Sequence, residues 1–337
     1  MIHDNLLLYG FSELVKVDGR EGYCLQRIPS DVKDGLRERA QIKSQMPAGN
    51  EIRFVPLEDT VTIKLVSYEE DAIACVYYGD FQDRIYHIGT DPVELKITIP
   101  ETINKYVKIN GEYVYHPKLI RIMLSHGSIH LIDVTGKRRP PFKDEMPCKT
   151  MLSYGTSITH GYSASLPSLS YAKLTARKLN MDHINLGFSG SAYCERSIAD
   201  HIAKRNDWDL LTLCISVNML NQGFTLEEFY DRASYMIKTI VENHPNKKIV
   251  CISPFRYHED ANITLDELNI VSKGKEYRDV LKCIVTDMKN SNLLYLDGME
   301  LLSSYGGLTS DLLHPGDYGM ISIVEKLVYH INNTWKL

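Results

Sequence analysis

Two hydrophobic periods in one chain predict a two-domain protein. An antiparallel β-sandwich of jelly-roll type is expected over residues 1–137, and a three-layer α/β/α domain with a parallel sheet over residues 149–337. Three observations carry this reading. The first third alternates apolar and polar residues, the mark of strands with one buried face. After residue 149, short wholly apolar runs alternate with amphipathic helical stretches, as in a parallel sheet covered on both faces. Between them, "GKRRPPFKDEMPCK" (136–149) is charged, holds three prolines and has no period, so residues 138–148 read as a linker.

In the sandwich half, "TVTIKL" sets Val61, Ile63 and Leu65 on one face, and "VELKITI" does the same with Val93, Leu95, Ile97 and Ile99. Similar runs occur at Ile52–Val55, Ile73–Tyr78, Leu119–Leu124 and Ile129–Val134. Turns are expected at Gly79-Asp80, Asn110-Gly111 and His126-Gly127. A single helical turn fits "PSDVKDGL". In the second half the apolar runs are "TMLSYG", "HINLG", "WDLLTLCIS", "KKIVCIS" and "LLYLD". Between the third and fourth, Leu226, Phe229, Tyr230, Ala233, Ile237, Ile240 and Val241 form one helical stripe. Thr225 and Glu228 supply a capping-box pair at its start, and Pro245 lies past its end. A last helix after His314 carries Met320, Val324, Leu327, Val328 and Ile331 on one face.

Composition excludes several classes. The chain has 337 residues and a formal charge of −5, so no global basic field draws it to nucleic acid or an anionic membrane. No apolar run reaches the roughly 18 residues of a membrane span. The start "MIHDNLLLYGF" lacks the pattern of a secretory signal, and the seven cysteines are scattered without a CxxC pair. Both point to a cytoplasmic protein with reduced thiols. His126 and His130 flank a predicted turn at a spacing that suits a metal on a helix, not across a hairpin, so no metal site is expected. Neither HExxH, a P-loop nor GxGxxG occurs in a fitting context. Cys194 and Cys214 read as buried thiols.

In parallel α/β sheets, ligands sit beyond the carboxyl ends of the strands, and the chemistry-bearing residues fall there. Ser157 in "YGTSITHG" follows the first run, after a glycine expected to take backbone angles closed to other residues. A serine nucleophile needs a base, and the base needs orientation. "SDLLHPGDYG" offers Asp311 three residues before His314. Acyl transfer also needs donors for a developing oxyanion. "NLGFSGSAYCE" offers the Gly190 N–H, and "CISVNML" the Asn218 amide. His160, near the serine, and Arg256, Tyr257 and His258, after the fourth run, are candidate substrate contacts.

The order Ser157, Gly190, Asn218 and then Asp311 with His314 resembles the four sequence blocks of the SGNH (GDSL-type) hydrolases, from about Lys149 to the C-terminus. The resemblance implies a flavodoxin-like α/β fold and a serine esterase acting through an acyl-serine intermediate. Ser157, Asp311 and His314 would be the triad, and the Ser157 N–H, Gly190 N–H and Asn218 amide the oxyanion hole. It implies no metal or organic cofactor. The substrate would be a small acyl ester, such as an acetyl group on a carbohydrate or polyol. "YGTSITHG…NLGFSGSA", with "RIPSDVKDGL" and "NEIRFVP" before it, looks like the subgroup with an N-terminal sandwich. Carbohydrate esterases and an acyltransferase type share that layout. An acyltransferase with the same triad is therefore the alternative, and a non-catalytic carbohydrate-binding protein the second. A homo-oligomer is left open. Two departures stand out: Ser216-Val217-Asn218-Met219 replaces the usual G-x-N-D, and Thr156 stands where the GDS form has aspartate.

Overall fold

The alternating runs of the first third form two stacked antiparallel sheets in the computed structural model, which describes residues 1–109, 112–263 and 274–336. The expected Asn110-Gly111 turn lies outside them. One sheet runs in the order Ile2–His3, Leu6–Tyr9, Glu51–Pro56, Ile120–Ser125, Ala72–Tyr78, Phe81–Ile88. The other runs Glu13–Val15, Tyr23–Gln26, Ser128–Thr135, Val61–Tyr68, Val93–Ile97. Val61, Ile63 and Leu65 are fully buried between the sheets, while Thr62 and Lys64 on the opposite face are only half-buried. Burial of one face fixes the register, because a slip of one residue would turn all three apolar side chains outward. The segment read as a linker is tied to this domain. Arg138–Arg139 adds a short strand to Glu51–Pro56, and the Arg139 guanidinium binds Glu145 at 2.6 Å.

The second half holds β1 (Thr150–Gly155), β2 (Asp182–Gly187), β3 (Leu210–Cys214), β4 (Lys248–Ile252) and β5 (Leu293–Leu296). They pair in parallel in the order β2-β1-β3-β4-β5. The helices are α1 (Tyr171–Lys178), α2 (Arg196–Lys204), α3 (Leu226–Asn243), α4 (Gly274–Asp287) and α5 (Asp317–Trp335). Helices α2, α3 and α4 pack on one face of the sheet, α1 and α5 on the other. The capping box of α3 is formed: Glu228 N–H donates to Thr225 Oγ1 and Thr225 N–H to Glu228 Oε2. The stripe of α3 is shifted from expectation. Tyr230 lies at its edge and is exposed, and Met236 takes the buried place.

The two domains meet along β2, the last strand of the parallel sheet. Asn50 reaches across from the sandwich, accepting the Asn185 N–H at 3.0 Å and donating to the Asn185 carbonyl at 3.3 Å. Arg27 donates to the carbonyls of Asn185 (3.0 Å) and Gly187 (2.9 Å). Beside them is a fully buried charge cluster. Glu51 accepts from Arg53 (2.7 Å), Arg121 (2.6 Å) and Lys173 (2.5 Å). Arg53 also grips Asp182, the first residue of β2, with two parallel bonds at 2.5 and 2.7 Å. Burial opposes ionisation of both acids, but the surrounding cations outweigh it. Glu51 is held well below the usual carboxylate range, and Asp182 below its ordinary value.

β3 runs into an unusual backbone. Ser216, fully buried, has φ 105° and ψ −54°, a region that favours glycine. Its hydroxyl donates to the Ile215 carbonyl.

Two outcomes are expected. Glu51→Gln leaves two guanidiniums and an ammonium short of a buried partner and should cost about 3–5 kcal/mol. Because Glu51 and Asp182 have depressed folded pKa values, their contribution is complete above the unfolded carboxylate range and is lost as pH falls through the folded values. Thermal melts of the wild type should therefore fall steeply below about pH 4, with a shallower acid limb in Glu51→Gln. Ser216→Gly should act in the opposite direction. Relief of about 1–3 kcal/mol of backbone strain, less about 1 kcal/mol for the lost hydroxyl bond, should raise the melting temperature. A fall would mean that the hydroxyl outweighs the strain.

Candidate active site

β1 delivers the serine. Gly155, its last residue, has no positive φ, so the expected special backbone angles are not the reason for glycine. The reason is close approach: a Cβ there would lie 2.5 Å from the Cys214 carbonyl oxygen of neighbouring β3 and 2.4 Å from Thr159 Oγ1. Thr156 is extended, and Ser157 opens a one-turn helix, Ser157–His160, closed by Gly161 at φ 87°. The Thr156 hydroxyl, where the GDS form has aspartate, is buried without a partner.

Ser157 Oγ lies 2.8 Å from His314 Nε2, and His314 Nδ1 lies 2.6 Å from Asp311 Oδ2. With Nδ1–H donating to the carboxylate, Nε2 is left to accept from the serine hydroxyl. The other carboxylate oxygen accepts from the Thr309 hydroxyl (2.7 Å) and the backbone N–H groups of Leu313 (2.9 Å) and His314 (3.0 Å). Burial works against the charge on Asp311, but these donors and the imidazole outweigh it and hold the carboxyl well below the usual range. Asp311 is therefore ionised at neutral pH. The loop itself is closed by a Leu308–Pro315 bridge and by Thr309 N–H donating to the His314 carbonyl at 2.8 Å.

Gly190 and Asn218 come from the ends of β2 and β3. Gly190 has φ 67°. Asn218 Oδ1 accepts the Ala192 N–H at 3.1 Å, which fixes the amide and leaves Nδ2 as the end that can donate elsewhere. Met219, where G-x-N-D has aspartate, is fully buried in the core between the sheet and its helices. Ser157, His314, Gly190 and Asn218 line one open cavity of about 390 Å³. Among the described residues, no group of three or more His, Cys, Asp or Glu is placed to hold a metal ion, and no helix is long and apolar enough to cross a membrane.

None of the four expected substrate contacts is among the side chains that line this cavity. His160 is buried behind the serine, with its Nδ1–H donating to the Gly187 carbonyl at 3.0 Å. Burial and the nearby Arg27 push it down to about 3, so it stays neutral. Tyr257 is buried, its hydroxyl donating to Glu259. Arg256 stacks on Tyr305 and reaches toward the Leu302 carbonyl. His258 donates its backbone N–H to Leu312 O at 2.7 Å, and its ring contacts the Ile263 carbonyl. Of the three, His258 thus braces the Asp311–His314 loop, through its backbone, and none of them is among the side chains lining the cavity. Cys214 is buried and its thiol is pushed up to about 12, and Cys194 is buried as well.

The cavity also holds side chains the sequence reading missed. Tyr162 packs its ring 5.4 Å from that of His314. Arg39 and Lys43, on the sandwich-domain helix Glu38–Lys43, line the same cavity, as does Glu70. The only signal for them was the i, i+4 spacing in "RERAQIK", and a short basic helix is more often a solvated face.

A model of the GDSL-like lipase/acylhydrolase family matches residues 148–332. A search of curated proteins gives no match. Among solved structures, a salicylyl-acyltransferase from a tetracycline biosynthetic pathway is similar at 17% identity and TM-score 0.79, covering 98% of this chain and 95% of that one. A protein from Bacteroides ovatus described as a GDSL-like lipase gives 17% and 0.72 over 98% and 95%. A family two carbohydrate esterase from Clostridium thermocellum, in complex with cellohexaose, gives 13% and 0.60 over 86% and 93%. At these identities the likeness shows the shared two-domain fold. The family match covers more than half of the chain: it belongs to the GDSL-like lipase/acylhydrolase family and is an SGNH-type hydrolase.

Proposed function

We propose that the protein is a serine esterase that cleaves a small acyl ester of a carbohydrate or other polyol through an acyl-Ser157 intermediate. The observation that supports it most is the unbroken chain Asp311–His314–Ser157, at 2.6 and 2.8 Å, opening on a cavity of about 390 Å³. In the first step Ser157 Oγ bonds to the acyl carbon and its proton passes to His314 Nε2. Asp311 holds the imidazole tautomer and stabilises the imidazolium. The Ser157 N–H, Gly190 N–H and Asn218 Nδ2 donate to the oxygen that gains charge. Collapse breaks the carbon–oxygen bond to the alcohol, which takes the proton back from His314. Water then repeats the sequence on the acyl-enzyme and releases the acid. The hydroxyl and amide side chains of Ser189, Asn221 and Gln222 along the cavity suit a polyhydroxylated alcohol.

Transfer to a hydroxyl other than water uses the same residues. A cavity much larger than a water requires keeps this second reading in play. Product analysis with a candidate acceptor present separates the two.

A fluorophosphonate should label Ser157, and mass spectrometry should place the adduct there; labelling elsewhere with Ser157→Ala still active would overturn the assignment. His314→Ala and Ser157→Ala should each lower kcat by several orders of magnitude, and the double variant should lose little more, because triad members act as a unit. Asn218→Ala should lower kcat by about 10²–10³ with KM nearly unchanged, and Asn218→Asp should do at least as much harm. A lowered melting temperature with near-normal kcat in Asn218→Ala would reduce Asn218 to a structural residue.

A further inference from the structure

The sandwich domain places a cationic pair inside the cavity that holds Ser157. Arg39 and Lys43 are four residues apart on the helix Glu38–Lys43 and so lie on one face of it. The Arg39 guanidinium lies directly over Gly190. A Cβ added to that glycine would fall 2.5 Å from Nη2 and 2.7 Å from Cζ. Lys43 Nζ contacts Met46 Sδ at 3.1 Å. Among the described residues neither cation is ion-paired with a carboxylate. Glu70 is the one acidic side chain among the described residues that line the cavity, and its carboxylate also takes up the Gly127 N–H at 3.4 Å. Two cations therefore face one anion.

This local sign opposes that of the whole chain, whose formal charge is −5. An excess of positive charge is thus a property of the side chains that line this cavity and not of the surface at large, while the ionised Asp311 sits behind His314, outside that lining. A guanidinium and an ammonium without a carboxylate partner, at the wall of a cleft that excludes part of the solvent, attract an oxyanion group on a ligand. Neither is required by the acyl transfer steps, which Ser157, His314, Asp311 and the three oxyanion donors complete among themselves.

We propose that Arg39 and Lys43 form an anion subsite, so that the ester substrate carries a carboxylate or another oxyanion group beside its scissile bond. This rests on the acyl-serine reading and names a substrate feature that the triad does not determine. It also gives the sandwich domain a role in selecting substrate.

The test uses the full-length protein and two matched ester pairs. One pair places the charge on the acyl side: mono-4-nitrophenyl succinate against 4-nitrophenyl butyrate. The other places it on the alcohol side: 3-carboxyphenyl acetate against 3-carbamoylphenyl acetate. A charge-assisted bond is strong enough that wild type should favour the anionic member by about tenfold or more in kcat/KM in at least one pair. The pair that responds assigns the side. In Arg39→Gln/Lys43→Gln the ratio of anionic to neutral kcat/KM should fall to about 1. No preference in either pair, or a preference that survives the double variant, overturns the inference. An equal loss on both members of each pair also overturns it, and would make Arg39 an aid to the oxyanion hole. The Ser157→Ala protein supplies a readout free of turnover. Calorimetric titration with both ester pairs should show the carboxylate of the responding pair bound about tenfold tighter than its neutral match, and the difference should vanish when Arg39 and Lys43 are also replaced. Should Ser157 fail to label and no ester react, the acyl-serine reading falls. The titration still decides the anion subsite, with equal binding within both pairs counting against it.

Discussion

The open edge of the parallel sheet is the constraint on which the arrangement of the molecule depends. β2 is a terminal strand, and an uncovered edge leaves N–H and C=O groups without partners. Here the sandwich domain supplies the partners as side chains: Asn50 bonds both backbone groups of Asn185, and Arg27 bonds the carbonyls of Asn185 and Gly187. Arg27 is fully buried, and with no carboxylate to offset its burial its guanidinium is pulled down to about 9. Such a group is stable only while its carbonyl acceptors stay in place. The neighbouring cluster of Glu51, Arg53, Arg121, Lys173 and Asp182 adds the same condition at the start of β2. Both ends of one strand are thus held by directional bonds, so the sandwich has a fixed position over the carboxyl end of the sheet. Gly190 lies three residues past that end, which is why a sandwich helix reaches it.

The reacting groups themselves depend on shorter-range devices. Asp311 receives its two oxygens' worth of donors from its own loop and from His314, so its charge and direction are set before any ligand arrives. The loop is set in turn by the Leu308–Pro315 bridge and by the His258 N–H bond to Leu312. Leu312 sits at φ 50°, an unfavourable angle for a branched side chain, and these outside bonds hold it there. The segment after β4 is therefore joined to the Asp311–His314 loop by a backbone bond without lining the cavity.

How much of this was legible depended on whether the signal was local. All five parallel strands could be read because each is a short apolar run, buried almost throughout in β1 to β4 and half-buried at Leu294 and Tyr295 in the edge strand β5. The paired sandwich strands Val61–Tyr68 and Val93–Ile97 could be read because one face is buried and the other is not. Phe81–Ile88 could not: it is an edge strand, exposed along most of its length, and its residues do not alternate. Ser157, Gly190 and Asn218 could be placed because each lies just past a strand, and the Asp-x-x-His pair because it lies just before the last helix. Arg39, Lys43 and Glu70 were not, because only the docking of two domains brings them near Ser157, and the bonds that dock them join residues up to 160 positions apart. Arg256, Tyr257 and His258 do not line the cavity for a related reason. Position at a strand end says that a residue is near the site, not which way it turns.

The altered third block shows how the site tolerates loss of a glycine. Ser216 occupies backbone angles that a glycine would take without cost, and such strain persists only where the surroundings over-determine it. Three contacts do so. Leu220 N–H donates to the Ser216 carbonyl at 2.9 Å, opening the turn Val217–Asn221. Met219 sends an apolar side chain into the core where the usual pattern has an aspartate. The Ala192 N–H fixes Asn218 Oδ1 from the end of β2. Each restrains a different atom of the same turn, so the orientation of the Asn218 amide does not depend on the residue at 216 being glycine. At the aspartate's position Met219 is fully buried in the core, so this turn is anchored by apolar packing, and Asn218 Nδ2 stays the end of the amide that can donate. On the proposed reading, this block contributes the position of one amide, and here the contacts of Leu220, Met219 and Ala192 supply it.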